Sequence, residues 1–393
     1  AAAQVQAEAD ADAAAQAEAE RLAAEQVQAE ADRAELREAR AAERQAELDA
    51  AAAAAAAAAE GQSTGEVITE EITEDELRAS SEEFETAVTG DGATAGKDGD
   101  DGLSKFEKAL LLGLGAVVVG SVLKNGDKVL SRSGDRVVVE DPNGDLRVLK
   151  DDDALIRRAG DQVATETFGD GSSRSIVTKP DGSRIITVRG RDGTVLRRVN
   201  IDAQGNEYVL FDDLAREERV VVTELPPVRQ SFAAVGSQDE AALRAALEAE
   251  MKAGQGRRFS LRQVRDIKQV RALAPELELD AVRFDSGSAA IRPEQARSLA
   301  KIGRTLSNLV DADPRTVFLI EGHTDAVGSA TYNLALSDRR AETVALALTE
   351  YFDVPPENMI TQGYGESALK VLTLADEVRN RRAVVRNITN LLR

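Results

Sequence analysis

Turn glycines at 171, 182, 193 and 205 recur every eleven or twelve residues, and period-two runs lie between them. That spacing fits one extended arm and one tight turn each. The pairs Asn143-Gly144, Asp181-Gly182, Asp192-Gly193 and Gly205-Asn206 suit such turns. The arms read Arg136-Val137-Val138-Val139, Ser175-Ile176-Val177-Thr178, Arg184-Ile185-Ile186-Thr187-Val188 and Glu207-Tyr208-Val209-Leu210-Phe211, so residues 125–213 are expected to form a meander or roll of short antiparallel strands. The tandem nine-residue Gly-Gly-x-Gly-x-Asp pattern of a calcium roll is absent, so the Gly-Asp pairs read as hairpin turns. Inner faces look aliphatic and no convergent polar cluster stands out, which leaves this region without a legible function.

The rest of the chain cannot follow that pattern, because 393 residues exceed one ordinary core and several domains are expected. Half of residues 1–60 are alanine, Ala50 to Ala59 is unbroken, and no Gly or Pro precedes Gly61. A single long helix is the reading, about 90 Å at 1.5 Å per residue. Its large apolar residues (Val5, Leu22, Val27, Leu36, Leu48) keep no strict heptad, so a solvated spacer and an alanine-seamed coiled coil joining copies of the chain both stay open. Residues 61–102 read as a flexible acidic linker, with one short capped helix from Thr73 and Glu76 through Leu77, Phe84 and Val88. Residues 103–124 read as an apolar, Gly-containing helix. The fifteen uncharged residues Ala109 to Leu123 would cover about 22 Å, short of the ~30 Å hydrocarbon core. They fit either a buried helix over the following sheet or a membrane-inserted or oligomerising segment. The opening Ala1-Ala2-Ala3, without Met, is what removal of an export signal at a small-residue site would leave.

Charge and scarce chemistry narrow the function classes. Residues 1–102 hold 27 acidic and 7 basic side chains, a net of −20, leaving −1 for the other 291 residues. Such an arm repels nucleic acid, so no nucleic-acid partner is expected. There is no cysteine and only His323, which argues against disulfides, thiol nucleophiles and multi-histidine metal centres. Neither a cofactor, a metal nor a catalytic activity is expected. Residues 214–274 form a charged connector with Pro226-Pro227, a helical stretch near 238–253, and a basic patch at Arg257, Arg258, Arg262, Arg265, Lys268 and Arg271. That patch is either a solvated helix face or a dock for the acidic arm.

The last 115 or so residues alternate strands with helices. Leu277–Phe284 alternates as a strand, a helix begins near Pro293 with Leu299, Ile302, Leu306 and Leu309 on one face, and Val317–Ile320 is a continuous apolar strand. A second helix places Leu334, Ala341, Ala345, Leu348 and Phe352 on one stripe. A strand at 359–366, a short helix near 373–379 and a final strand at 383–388 complete an expected α/β (α+β) sandwich, with helices on one side of a mixed sheet. On the second helix Asn333, Ser337 and Arg340 share one flank while Arg339 points away. A fold-back of the Asp325 loop would set a carboxylate and a guanidinium about an amide. Such a pair suits a zwitterion, although on the residues alone an Asp and an Arg fifteen apart are more often a modest surface ion pair.

The run Gly322-His323-Thr324-Asp325-x-x-Gly328-x-x-x-Tyr332-Asn333-x-x-Leu336-Ser337-x-x-Arg340-Ala341-x-x-Val344, with Gly363-Tyr364-Gly365-Glu366 and Asn380-Arg381-Arg382, resembles the OmpA-like peptidoglycan-binding domain over roughly residues 276–390. The resemblance implies non-covalent binding of the peptide stem of peptidoglycan. Asp325 would take the ammonium and Arg340 the carboxylate of a half-exposed diaminopimelate end, with Thr324, Asn333 and Arg381 adding polar contacts. His323 would be a buried, hydrogen-bonded residue of the turn. Ala383 stands where the family usually has Val. The resulting expectation is a non-enzymatic tether in the periplasm or at the outer membrane of a Gram-negative cell, with peptidoglycan and other envelope components as partners. Alternatives are a flagellar-stator-like component, which needs a full transmembrane helix, or an adhesin or scaffold working through its β-rich middle and using the domain only as a wall anchor.

Overall fold

The computed structural model describes residues 66–83 except 75 and 76, 118–226 except 143, 170, 215 and 216, alternate positions of 243–249, and 256–393 except 280, 281 and 283. The expected helix or coiled coil over 1–60, residues 84–102 of the linker with Phe84 and Val88 of its expected short helix, and residues 103–117 of the expected apolar helix lie outside these residues.

The glycine-punctuated region folds as the spacing predicts. Strands β2 (Lys128–Ser133), β3 (Arg136–Glu140) and β4 (Leu146–Leu149) form one antiparallel sheet. A second follows the order β1-β5-β6-β7-β8-β9, with β1 (Glu66–Glu71) at its edge and β5 (Gln162–Thr167), β6 (Ser173–Thr178), β7 (Arg184–Arg189), β8 (Val195–Ile201) and β9 (Glu207–Asp212) meandering in sequence. Gly171, Gly182, Gly193 and Gly205 turn the chain with φ between 79° and 88°, a region other residues enter at a cost.

The sixth strand is not where the sequence places one. β1 (Glu66–Glu71) comes from the supposed flexible linker and pairs antiparallel with β5, Val67 opposite Glu166. Backbone pairing at an open sheet edge outweighs an unpromising composition. Ile72 follows it into the core with Ile156, Val163, Val177 and Ile185. Beyond Leu77 the segment 77–83 has turns rather than the expected capped helix. Residues 118–124 are likewise turns and a bridge, Val122 to Lys128, rather than the end of a helix. Among the described residues no helix is long and apolar enough to cross a membrane.

The carboxy-terminal sheet runs β10 (Leu277–Glu278), β13 (Ala383–Asn387), β11 (Phe318–Gly322), β12 (Met359–Gly363), with β11 and β12 parallel and the other pairs antiparallel. The first strand is two residues long, shorter than the alternation of 277–284 suggests, and the helix expected near 373–379 is one 3-10 turn, Val378–Asn380. Helices α1 (Leu261–Asp266) and α2 (Lys268–Arg271) come from the connector; α3 (Pro293–Ser298), α4 (Ala300–Ala312) and α5 (Ala330–Phe352) belong to the sandwich. Phe318 and Ile320 bury against α4 and α5, whereas Val317 and Leu319 bury against Phe259, Leu261, Val264 and Val270. Both faces of this sheet are therefore covered, and helices on one side only is corrected: the connector supplies the second layer. Leu243 and Leu247, helical positions of the 238–253 stretch, join the first core.

Buried charge ties the β-rich middle to this domain. Asp338 on α5, fully enclosed, accepts from Arg136 Nε at 2.9 Å, from Lys150 Nζ at 2.9 Å and from Gly363 N at 3.0 Å. Leu334 leaves the expected stripe to pack with Ala335 on Val138 and Val148, and Arg339 reaches Ser133. A further cluster contradicts the aliphatic reading of the meander. Buried Asp153 accepts from the Ser175 hydroxyl, from Thr187 Oγ1 at 2.9 Å and from Arg198 Nη2 at 3.0 Å, and it pairs with Arg189 at 3.0 Å. Arg198 also reaches the Glu357 carbonyl at 3.4 Å. These partners come from three strands, Ser175 on β6, Thr187 and Arg189 on β7 and Arg198 on β8, and meet an aspartate outside all of them, so alternation within one strand does not reveal the cluster. The basic patch is likewise neither merely solvated nor open: Arg262 pairs with Glu217 at 2.6 Å, Arg265 Nε donates to Gln362 at 2.6 Å, and Arg271 lies over the Tyr364 ring at 3.7 Å.

Candidate ligand-binding site

The site forms where β11, β13 and the start of α5 meet. α5 begins at Ser329, whose hydroxyl accepts from Tyr332 N at 3.3 Å. The helix lies so close to the sheet that a methyl on Gly322 would overlap the Ser337 carbonyl oxygen, and one on Gly363 the Asp338 backbone nitrogen. Those two glycines of the sequence motif are therefore spacers that fix the distance of α5 from the strands.

Past Gly322 the chain is pinned by His323 N to Arg382 O and Thr324 N to Gly365 O, both 3.0 Å. This brings Asp325 to Arg381, whose Nη1 donates to Asp325 Oδ2 at 2.6 Å while also pairing with Asp376. Asp325 Oδ1 accepts from Val327 N at 3.2 Å. Asn333, expected beside Arg340, donates instead to Glu366 Oε2 at 2.7 Å. The Thr324 hydroxyl is buried without a partner.

Arg340 departs most from expectation. Rather than half-exposed it is 0% exposed, stacked 4.9 Å from the Phe284 ring centroid. Nε donates to Ser288 O at 2.9 Å and Nη2 to Asp285 O at 3.1 Å, while Nη1 has no partner. Burial and then the neighbouring Arg381 lower its pKa to about 10, against the opposing pull of Asp325, Tyr332 and Glu83. It remains a cation at neutral pH. Asp325, Arg381 and Arg340 thus act electrostatically on one another, with Arg340 roofed by the 284–288 loop.

His323 is buried as expected: its Nε2 lies 3.3 Å from Glu321 Oε2, and its ring stacks on Tyr364 at 5.7 Å. Burial pushes its pKa down, so it is neutral at pH 7. Burial alone would raise Glu321, but Arg386, His323 and Arg271 outweigh that and hold it at about 2. Sequence reasoning missed Tyr332, Glu366, Asp376 and the Asp285 and Ser288 carbonyls. Tyr332 and Glu366 stood inside the quoted motifs, but a carbonyl acceptor carries no side-chain signal.

A mixed four-stranded α/β fold that gathers a carboxylate, two guanidiniums and unpartnered buried donors at one end of its sheet defines a candidate recognition module for a charged ligand. Residues 283–383 match the model of the OmpA family, and the chain carries an OmpA family domain there. Outer membrane protein A of Escherichia fergusonii is 35% identical over 104 residues, 26% of this chain and 42% of that protein. Outer membrane protein A of Escherichia coli O157:H7 shares 35% over 104 residues, 29% of its length. The chain thus spans well under half of these relatives. Among solved structures, the peptidoglycan-associated lipoprotein from Burkholderia pseudomallei is 28% identical, with 32% of this chain and 98% of that chain covered and a TM-score of 0.24. The periplasmic domain of Helicobacter pylori MotB is 19% identical, covering 28% of this chain and 78% of that chain, also at 0.24.

Proposed function

We propose that the OmpA family domain binds the peptide stem of peptidoglycan non-covalently and that the chain is a non-enzymatic tether in the cell envelope. The observation that supports this is the grouping of Asp325, Arg381 and Arg340, close enough to act on one another's charge, with Arg340 Nη1 left without a partner. A zwitterionic diaminopimelate end would offer its ammonium to Asp325, shared with Arg381, and its carboxylate to Arg340 Nη1. Thr324, Asn333 and Arg381 complete the polar surround. Neither charged group needs to react, so binding alone is the assignment. The working compartment is the periplasm or the periplasmic face of the outer membrane, and the middle sheets and the acidic arm reach other envelope components.

Pull-down with purified sacculi tests the reading. Wild type is retained and Asp325→Ala is not; Arg340→Lys keeps the charge but loses the fork and is retained poorly. Circular dichroism checks that both variants fold. Equal retention of all three proteins would sink the assignment.

A further inference from the structure

The segment 77–83 reaches the site from outside the family domain. Arg78 Nη2 donates to Thr343 Oγ1 on α5 at 3.1 Å. Ser80, 1% exposed, donates from N to Glu350 Oε1 at 2.9 Å and from its hydroxyl to Glu350 Oε2 at 2.5 Å, while its carbonyl accepts from Ile291 N at 3.0 Å. The Glu83 carboxylate then accepts from the Ser288 hydroxyl and from Ala289 N at 3.3 Å. Ser288 is the residue whose carbonyl receives Arg340 Nε. A continuous chain of bonds therefore runs from Glu83 through the 285–289 loop to the guanidinium, and Glu83 lies near enough to act on the Arg340 charge.

We propose that residues 77–83 are a self-occluding strap: Glu83 latches the 285–289 loop over Arg340, and the carboxylate of an incoming wall peptide must displace that latch. This deepens the wall-binding reading and rests on it. Glu83 holds the Ser288 hydroxyl and the Ala289 N–H, which keeps the loop closed over the guanidinium that a ligand carboxylate would take, so one must let go for the other to bind. Glu83 itself is exposed, so its hold is weak enough to reverse. The strap is delivered by β1, which hydrogen-bonds along β5, and through Ile72 N to Asp161 O at 2.9 Å, so it stays local when released. A tethered competitor of this kind makes the domain insensitive to dilute stem peptides and responsive to a dense wall.

The test uses the full chain and a diaminopimelate-containing muropeptide, with calorimetry for affinity and hydrogen exchange for the strap. Glu83→Gln is expected to tighten binding about fivefold, the scale of one exposed charged contact. Saturating muropeptide is expected to speed exchange across 77–83 in wild type. Binding abolished by Asp325→Ala but unmoved by Glu83→Gln, or strap exchange unchanged at saturation, overturns the strap and leaves the site. No binding by wild type or by Glu83→Gln removes the site reading and the strap with it.

Discussion

Replacing Asp338 by Asn would remove the most deeply buried carboxylate from the junction between the β-rich middle and the family domain while keeping side-chain shape. Lys150, its side chain 4% exposed, would be left against a neutral amide, and Arg136, 0% exposed, would keep its pairs with Asp135 and Glu342. Burial alone would raise the Asp338 pKa, but Lys150 and Arg136 outweigh it and hold the carboxyl at about 2. Against the ordinary aspartate value of about 3.9, that depression corresponds to about 2.5 kcal/mol of stability at neutral pH. Removing one partner of a buried pair costs about 3–5 kcal/mol, and the retained shape argues for the lower end. At about 2–4 °C per kcal/mol for a unit of this size, the midpoint should fall by roughly 5–10 °C at pH 7. The folded-state pKa is depressed, so the contribution is present above about pH 4 and is lost as pH falls through 2. The gap between wild type and Asp338→Asn in thermal unfolding, followed by far-ultraviolet circular dichroism, should therefore close on acidification. A gap near zero at pH 7, or one that stays constant to pH 2, would refute the reasoning.

Two further outcomes follow from the packing. Gly322→Ala places a methyl on the Ser337 carbonyl oxygen and forces α5 off the sheet, which should cost about 3 kcal/mol or more and show as a large drop in urea midpoint; an unchanged midpoint contradicts the spacer role. Asp213, 3% exposed, is pushed up to about 7, by burial above all, even though its carboxylate accepts from Leu261 N at 2.6 Å. A raised carboxyl pKa means stability falls as pH rises from about 4 through 7, so Asp213→Asn should be the more stable protein at pH 8 and lose that advantage by pH 4. Denaturation curves at the two pH values decide it.

These charged junctions also bear on the scaffold alternative. Deleting 125–213 would strand Asp338 and Glu357 beside lost partners, Lys179 pairing with Glu357 at 3.0 Å, so loss of wall binding in such a deletion would not isolate a role for the middle sheets. Substitutions at the exposed Val67 and Ile68 on the edge strand are the cleaner probe, with recovery of envelope proteins as the readout.

Local rules were enough for the hairpins and for the two long helices of the sandwich. Glycines that turn the chain at positive φ announced the hairpins, and the 3.6-residue period announced α4 and α5, because both signals depend on neighbours within one turn or helix. The helical phase also separated Arg340 from Arg339, which does point the other way, toward Ser133. What required the tertiary structure were the pairings between distant residues: β1 on β5, the connector helices on the second sheet face, Asp153 and Asp338 among their guanidiniums, and Glu83 on a loop 205 residues further along. A charged side chain reads as solvent-exposed in one dimension, since its burial is tolerated only when an opposite charge arrives from elsewhere in the fold. Residue identities set which groups the site holds; the packing of loop and strap decides that Arg340 is closed.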